Sequence, residues 1–367
     1  MLADIPFTPD DWTRVHDTYE KWWTNELDRP LLHVTLTGRN PDVPEPDIPS
    51  YGFQAFYDDN LPVEKIVDRM EYNLACGEYV GDAFPHCWPN FGAGVIAAFL
   101  GAQLEKSDTT VWFHPPHDRE LKDISFEFVP DNFWFNRVRD VARAAARRFQ
   151  GRAQIGMTDL GGNLDILASF RPGENLLLDL YDCPDEVKRL TWEAHNLWFR
   201  YFNLLNEATQ PNQGYTAWTP ILSKTPYYML QCDFCYMISP DMFDKFVRPE
   251  LAAACGKIDR PFYHLDGPGQ VPHLDSLLEI PTLAGVQWIP GAGQPSFEEW
   301  PEVYRKIFAA GKKSQIFLQA ESWDENVRIF DELVNRTGDA QQFIFHANAP
   351  IDRRDDVMRV LERYGAA

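Results

Sequence analysis

From residue 215 onward, short apolar runs alternate with amphipathic helical runs across short joins, which limits the chain to a parallel sheet covered by helices. Runs suited to buried strands fall at 215–218, 228–233, 261–266, 284–289, 315–320 and 342–347. Helical periodicity fills 271–279, 297–310, 324–336 and 353–364, and Ser239-Pro240-Asp241 caps a helix that reaches about residue 256. Upstream, 154–159 and 31–36 read as further strands, and 164–208 as helices broken near Arg171-Pro172-Gly173. About eight strands predict a (β/α)8 TIM barrel, at a length usual for that fold. A doubly wound open sheet is the alternative, but no G-x-G-x-x-G follows any of these strands.

The first part of the chain is less regular. Residues 1 to about 30 carry one apolar face, Trp12, Val15, Tyr19, Trp22 and Trp23, behind a cap at Thr8 or Asp10, which suits a lid or a barrel-bottom helix. Residues 40–50 are a Pro- and Asp-rich loop, and 62–80 return to helical spacing. Between Gly81 and Gly92, two prolines, His86 and Trp88 stand without periodicity. We expect 84–91 to cover the barrel mouth, with His86 and Trp88 facing a ligand. A small β-rich insertion is expected around 109–113, then a helix over 131–149 whose arginine face reads as solvated. No Gly/Ser-rich linker divides the chain, so 1–367 is expected as a single barrel domain with 1–150 wrapped around it as pocket loops and helices.

Composition removes several function classes. A net charge of -21, from 55 Asp and Glu against 34 Lys and Arg, repels a phosphate backbone and argues against nucleic acid. No apolar run approaches the roughly 18 residues of a membrane helix, and no leader pattern opens the chain, so a cytoplasmic protein is expected. The six cysteines form no zinc-ribbon spacing. Cys232 and Cys235 make a C-x-x-C, but at the end of a strand rather than at a helix start, which does not suit redox work.

In a barrel the chemistry gathers at the C-terminal strand ends. Those ends supply Asp159, Trp218, Asp233, His264 with Asp266, Gln287 with Trp288, Glu321, and His346 with Asn348. In Phe262-Tyr263-His264-Leu265-Asp266-Gly267-Pro268-Gly269, the i, i+2 spacing puts His264 and Asp266 on one face of a strand that the glycines and proline then end. Such a pair can bind a metal, act as acid and base, or hydrogen-bond to itself. Asp159, Asp233 and Glu321 are candidate acids and bases. His86, Trp88, Trp218, Gln287, Trp288 and Asn348 are candidate substrate contacts. Asp159 can equally cap a helix, and Asp233 can hold loop backbone.

The run Ala168-Ser169-Phe170-Arg171-Pro172-Gly173-Glu174-Asn175-Leu176-Leu177-Leu178-Asp179-Leu180-Tyr181-Asp182-Cys183-Pro184, then Ile238-Ser239-Pro240-Asp241-Met242-Phe243, then His264-Leu265-Asp266-Gly267, resembles the uroporphyrinogen decarboxylase superfamily over about 150–364. The resemblance implies a (β/α)8 barrel and either a cofactor-free decarboxylase or a zinc-dependent methyltransferase working with a corrinoid protein. Methyltransferases of that type carry His-x-Cys where this chain has His264-Leu265-Asp266, and a further Cys where it has His346. Both thiolates are exchanged for other ligand types, which implies a His264, Asp266 and His346 set for Zn2+ or another divalent ion, with a coordination position left open and Asp233 or Glu321 behind the imidazoles. A metal so held is a stronger Lewis acid and less suited to thiol alkylation. The decarboxylase branch grips its substrate with an arginine-bearing N-terminal segment, against which residues 31–39 offer Arg39 alone.

Two principal readings follow. One is a metal-dependent, methyltransferase-like enzyme acting on a small polar molecule or a corrinoid partner. The other is a hydrolase or lyase on a sugar-like substrate, with strand-end carboxylates as acid and base and tryptophans stacking on the ring. A binding protein that kept the barrel without its chemistry is the third.

Overall fold

The computed structural model describes residues 3–172 and 174–367. Its strands are β1 (Leu31–Thr37), β2 (Gly77–Gly81), β3 (His86–Cys87), β4 (Gln103–Lys106), β5 (Val111–His114), β6 (Gln154–Ile155), β7 (Tyr227–Gln231), β8 (Arg260–Asp266), β9 (Gly285–Ile289), β10 (Lys313–Leu318) and β11 (Phe343–Pro350). One seven-stranded sheet runs in the order β2-β1-β11-β10-β9-β8-β7. All its neighbours are parallel except β2, which lies antiparallel on β1. β3 and β6 form a separate parallel pair, and β4 and β5 a hairpin. Among the described residues these ladders leave the steps from β1 to β3 and from β6 to β7 unpaired, so the six parallel strands of the sheet and the β3–β6 pair are not joined into one closed ladder.

Short joins between strand and helix force parallel neighbours, and the helices Pro301–Ala309, Trp323–Thr337 and Arg354–Arg363 fall where the periodicity puts them. The break expected near Arg171-Pro172-Gly173 lies between the helices Asn163–Ala168 and Glu174–Asp182, with Gly173 itself outside the described residues. One apolar cluster draws on residues from Ile5 to Ala366. No helix among the described residues is long and apolar enough to cross a membrane.

The N-terminal helix Pro9–Trp23 closes the N-terminal end of the sheet. Thr8 and Asp11 make a reciprocal capping box at its start. At its other end, Trp22 and Trp23 pack on Phe262 of β8, and the Lys313 ammonium of β10 sits 5.0 Å over the Trp22 ring. Of the two places open to this helix, lid or bottom, it takes the bottom. Phe262 needs room as well: a Cβ on Gly285, its register partner, would stand 2.2 Å from the ring.

Three expectations change. Residues 62–80 do not stay helical: the helix Val63–Ala75 stops, and β2 turns back along β1. Gly81 permits this at φ +64°, where a Cβ would lie 2.5 Å from the Leu32 carbonyl oxygen. Residues 215–218 are not a strand; they dock on β6 through single contacts, with Met157 N–H donating to Thr216 O, and fold back in a bridge from Tyr215 to Ser223. β3, inside the segment expected to be a loop, supplies the parallel strand instead. The arginine face of the helix Phe133–Phe149 is not merely solvated, since Arg148 bonds Asp68 and Glu71 on the helix Val63–Ala75.

Candidate functional site

Strand register assembles the site. Gln231 is level with His264, His264 with Gln287, and Gln287 with Gln315, so these side chains share one face across β7, β8, β9 and β10. On β11 and β1, His346 and His33 are level with each other. The result is a polar layer through an otherwise apolar interior. Its members are joined in one direction: His264 Nδ1–H donates to Gln287 Oε1, Gln287 Nε2–H donates to Gln315 Oε1 (3.0 Å), and Gln315 Nε2–H donates to His346 Nε2 (2.7 Å).

Carboxylates crowd the β8 end of this chain. Asp233, His264 and Asp266 each offer a ligand atom within 4.8 Å of the other two. Asp165 stands behind them, accepting the backbone N–H groups of Asp233 (2.8 Å) and Phe234 (2.7 Å). Asp159 accepts from Gly161 N–H at 3.0 Å. Burial, reinforced by the Asp233 charge, pushes the Asp159 carboxyl up to about 6. Burial and Asp233 push Asp165 well above the carboxylate range, and local desolvation with the Asp266 charge raises Asp233, although the residue itself is solvent-exposed. The basic side chain set against Asp159 and Asp233 is His264, and no Lys or Arg stands among the leading influences on the three acids. With Nδ1 given to Gln287, His264 has Nε2 left for a ligand or an ion.

A cavity of about 430 Å³ opens at the other end of the chain, against β1, β3, β10 and β11. His33, His86 and His346 line it, with Trp88, Phe317 and Asn348. The His346 ring stacks on Phe317 (4.7 Å, 21°) and lies 4.7 Å from the His33 ring. Burial depresses all three imidazoles: His33 to about 3, His86 to about 4 and His346 well below the usual range. They are neutral at physiological pH.

The expected metal set is therefore corrected. His346 lies outside the cluster, three strand spacings of about 4.8 Å each from His264, too far for an ion bonded at about 2.0–2.2 Å to reach both. Asp233 stands in the cluster instead, and the group behind His264 is Gln287 rather than Asp233 or Glu321. Glu321 is exposed beyond β10, outside both the cluster and the cavity lining. Trp288 alternates away from Gln287, is fully buried and packs edge-on against Trp300, so it is core and no substrate contact. The Trp218 and His264 rings meet edge to face, with their centroids 5.5 Å apart. His86 and Trp88 line the cavity, with His86 Nε2–H donating to Ala217 O at 3.0 Å. Cys232 and Cys235 are buried and unpaired.

Asp165, Gln315 and His33 were not singled out from the sequence. Gln315 could have been, as an amide two residues from Lys313 on the inward face of a strand. Asp165 could not, because its partners are 68 and 69 residues away and no local pattern marks them.

No protein-family model matches the chain, and no curated protein matches it. Among solved structures it is similar to a methyltransferase from Methanosarcina mazei, with a TM-score of 0.59 and 12% identity over 94% of each chain. At that identity the likeness speaks for the fold.

Proposed function

We propose that this chain is a metal-dependent enzyme on a (β/α)8 barrel of the uroporphyrinogen decarboxylase type, with a divalent ion, zinc or one of similar hardness, held by Asp233, His264 and Asp266. The observation that carries this is the gathering of Asp233 and Asp266 around the His264 imidazole, each offering a ligand atom within 4.8 Å of the others, with Asp159 and Asp165 beside them. Two carboxylates and an imidazole suit such an ion, and an imidazole anchored through its other nitrogen is the usual arrangement of a histidine ligand. When bound, the ion supplies Lewis acidity to an oxygen of the substrate. Asp159, with its carboxyl near 6, is suited to give or take a proton beside it at physiological pH.

The reaction class we favour is methyltransferase-like, acting on a small polar molecule, with a corrinoid protein as the partner the resemblance implies. That a solved structure sharing this fold is a methyltransferase supports the choice. A set without thiolate donors favours transfer involving oxygen over alkylation of a thiol. A hydrolase or lyase on a sugar-like substrate is the second reading, favoured by the raised Asp159. A cofactor-free decarboxylase is disfavoured, because no arginine lines the cavity to hold a carboxylate.

Titration of zinc into the chelator-stripped full chain is expected to give one site per chain. Gln287→Leu is expected to weaken it about 10- to 100-fold by freeing the imidazole, with His264→Ala weakening it further. His346→Phe is expected to leave it unchanged. Wild-type affinity in His264→Ala would rule out this site.

A further inference from the structure

We propose that the cavity over His346 binds an uncharged, hydroxyl-bearing ring, the chemistry of a neutral sugar or cyclitol, with a ligand oxygen accepting from His346 Nδ1–H. None of Asp233, His264 and Asp266 lines this cavity, so the binding is separate from the ion site above and does not rest on it.

The first observation is electrostatic. In a chain of net charge -21, no Asp, Glu, Lys or Arg lines this cavity. Its three histidines are held neutral by burial. A charged ligand would leave water for a site with no counter-charge, and a neutral one would not incur that loss.

The second is the hydrogen-bonding inventory. His346 is 3% exposed, and its Nδ1 has no partner. Because Gln315 donates to Nε2, the neutral ring carries its proton on Nδ1, which leaves a buried donor without an acceptor. His86 is set the other way: it donates through Nε2, so its Nδ1 is an acceptor without a protein partner among the described residues. Five amide side chains complete the lining, among them Asn73, Gln319 and Asn348. A hydroxyl both donates and accepts, as does an amide, so a ring of hydroxyls matches this set.

The third is shape. The remaining wall includes Tyr79, Phe84, Trp88 and Phe317, flat surfaces for the apolar face of a ring, and about 430 Å³ is of the size that holds a small organic ligand.

The test uses metal-stripped full-length protein, so that its outcome is independent of the ion site. Saturation-transfer NMR is run with the neutral methyl glycosides of glucose, galactose, mannose and fucose and with myo-inositol, against glucuronate, glucosamine and cyclohexanol. At least one neutral polyol is expected to bind about tenfold or more tightly than all three controls, a margin of one net hydrogen bond. His346→Phe, which keeps the ring volume, is expected to lose that margin. Asn348→Ala, at an exposed strand end, is expected to weaken binding even if His346→Phe does not fold. Histidine 15N spectra are expected to show His346 as the Nδ1–H tautomer. Binding of the charged sugars as tight as the neutral ones, binding of no polyol, or an Nε2–H tautomer at His346 would overturn the proposal.

Discussion

Asp82→Ala is expected to lower the unfolding free energy by about 3–5 kcal/mol, read from urea midpoints. Asp82 is fully buried directly after β2 and receives both guanidinium nitrogens of Arg29, at 2.7 and 2.9 Å. It also accepts the Leu32 N–H at 2.8 Å, tying the end of β2 to the start of β1. Alanine would leave a mostly buried guanidinium without its counter-charge, holding the Pro30 carbonyl oxygen alone, and the Leu32 N–H without its acceptor, and that orphaning is the source of the loss rather than the net worth of the pair. The double replacement Arg29→Met with Asp82→Leu is therefore expected to recover much of the stability. If it is as unstable as Asp82→Ala, the orphaned charge is not the cause.

Asp159→Asn in metal-stripped protein is expected to be more stable than the wild type at neutral pH, by up to about 3 kcal/mol, and no more stable near pH 4. The carboxyl goes from about 3.8 in the unfolded chain to about 6 in the fold. A raised folded value means that the stabilising form is the protonated one. Its contribution is complete below about pH 4 and is lost as pH rises through 6, with a shift of about 2 units corresponding to about 3 kcal/mol. Asp165 and Asp233 move in the same direction, and because the Asp159 charge itself helps to raise Asp165, the difference between the two curves reports Asp159 together with its coupling to these neighbours. Curves that run parallel from pH 4 to 7 would mean that the Asp159 carboxyl is not raised.

What was legible in the sequence was local. Strand and helix periodicity located most of the sheet, and the i, i+2 pair of His264 and Asp266 stands together with Asp233 as expected for strand-end residues. What failed depended on register and on which neighbour a strand takes. Residues 215–218 have strand composition, but Gly156 lets them dock close on β6, where a Cβ would lie 2.3 Å from Ala217 O, and they fold back instead of pairing. Trp288 and Gln287 are adjacent in sequence and on opposite faces of β9, so only one of them can reach the site. His346 sits at the right depth on the wrong strand to share an ion with His264. The two amides that link these histidines instead, Gln287 and Gln315, acquire meaning only once β9 and β10 are set side by side.

Crystals of the full chain soaked in zinc, with diffraction recorded on either side of the zinc absorption edge, test the metal centre most directly. One anomalous peak is expected among the carboxylate oxygens of Asp233 and Asp266 and His264 Nε2, at about 2.0–2.2 Å from each. No peak there, or a peak coordinated by His346, would contradict it.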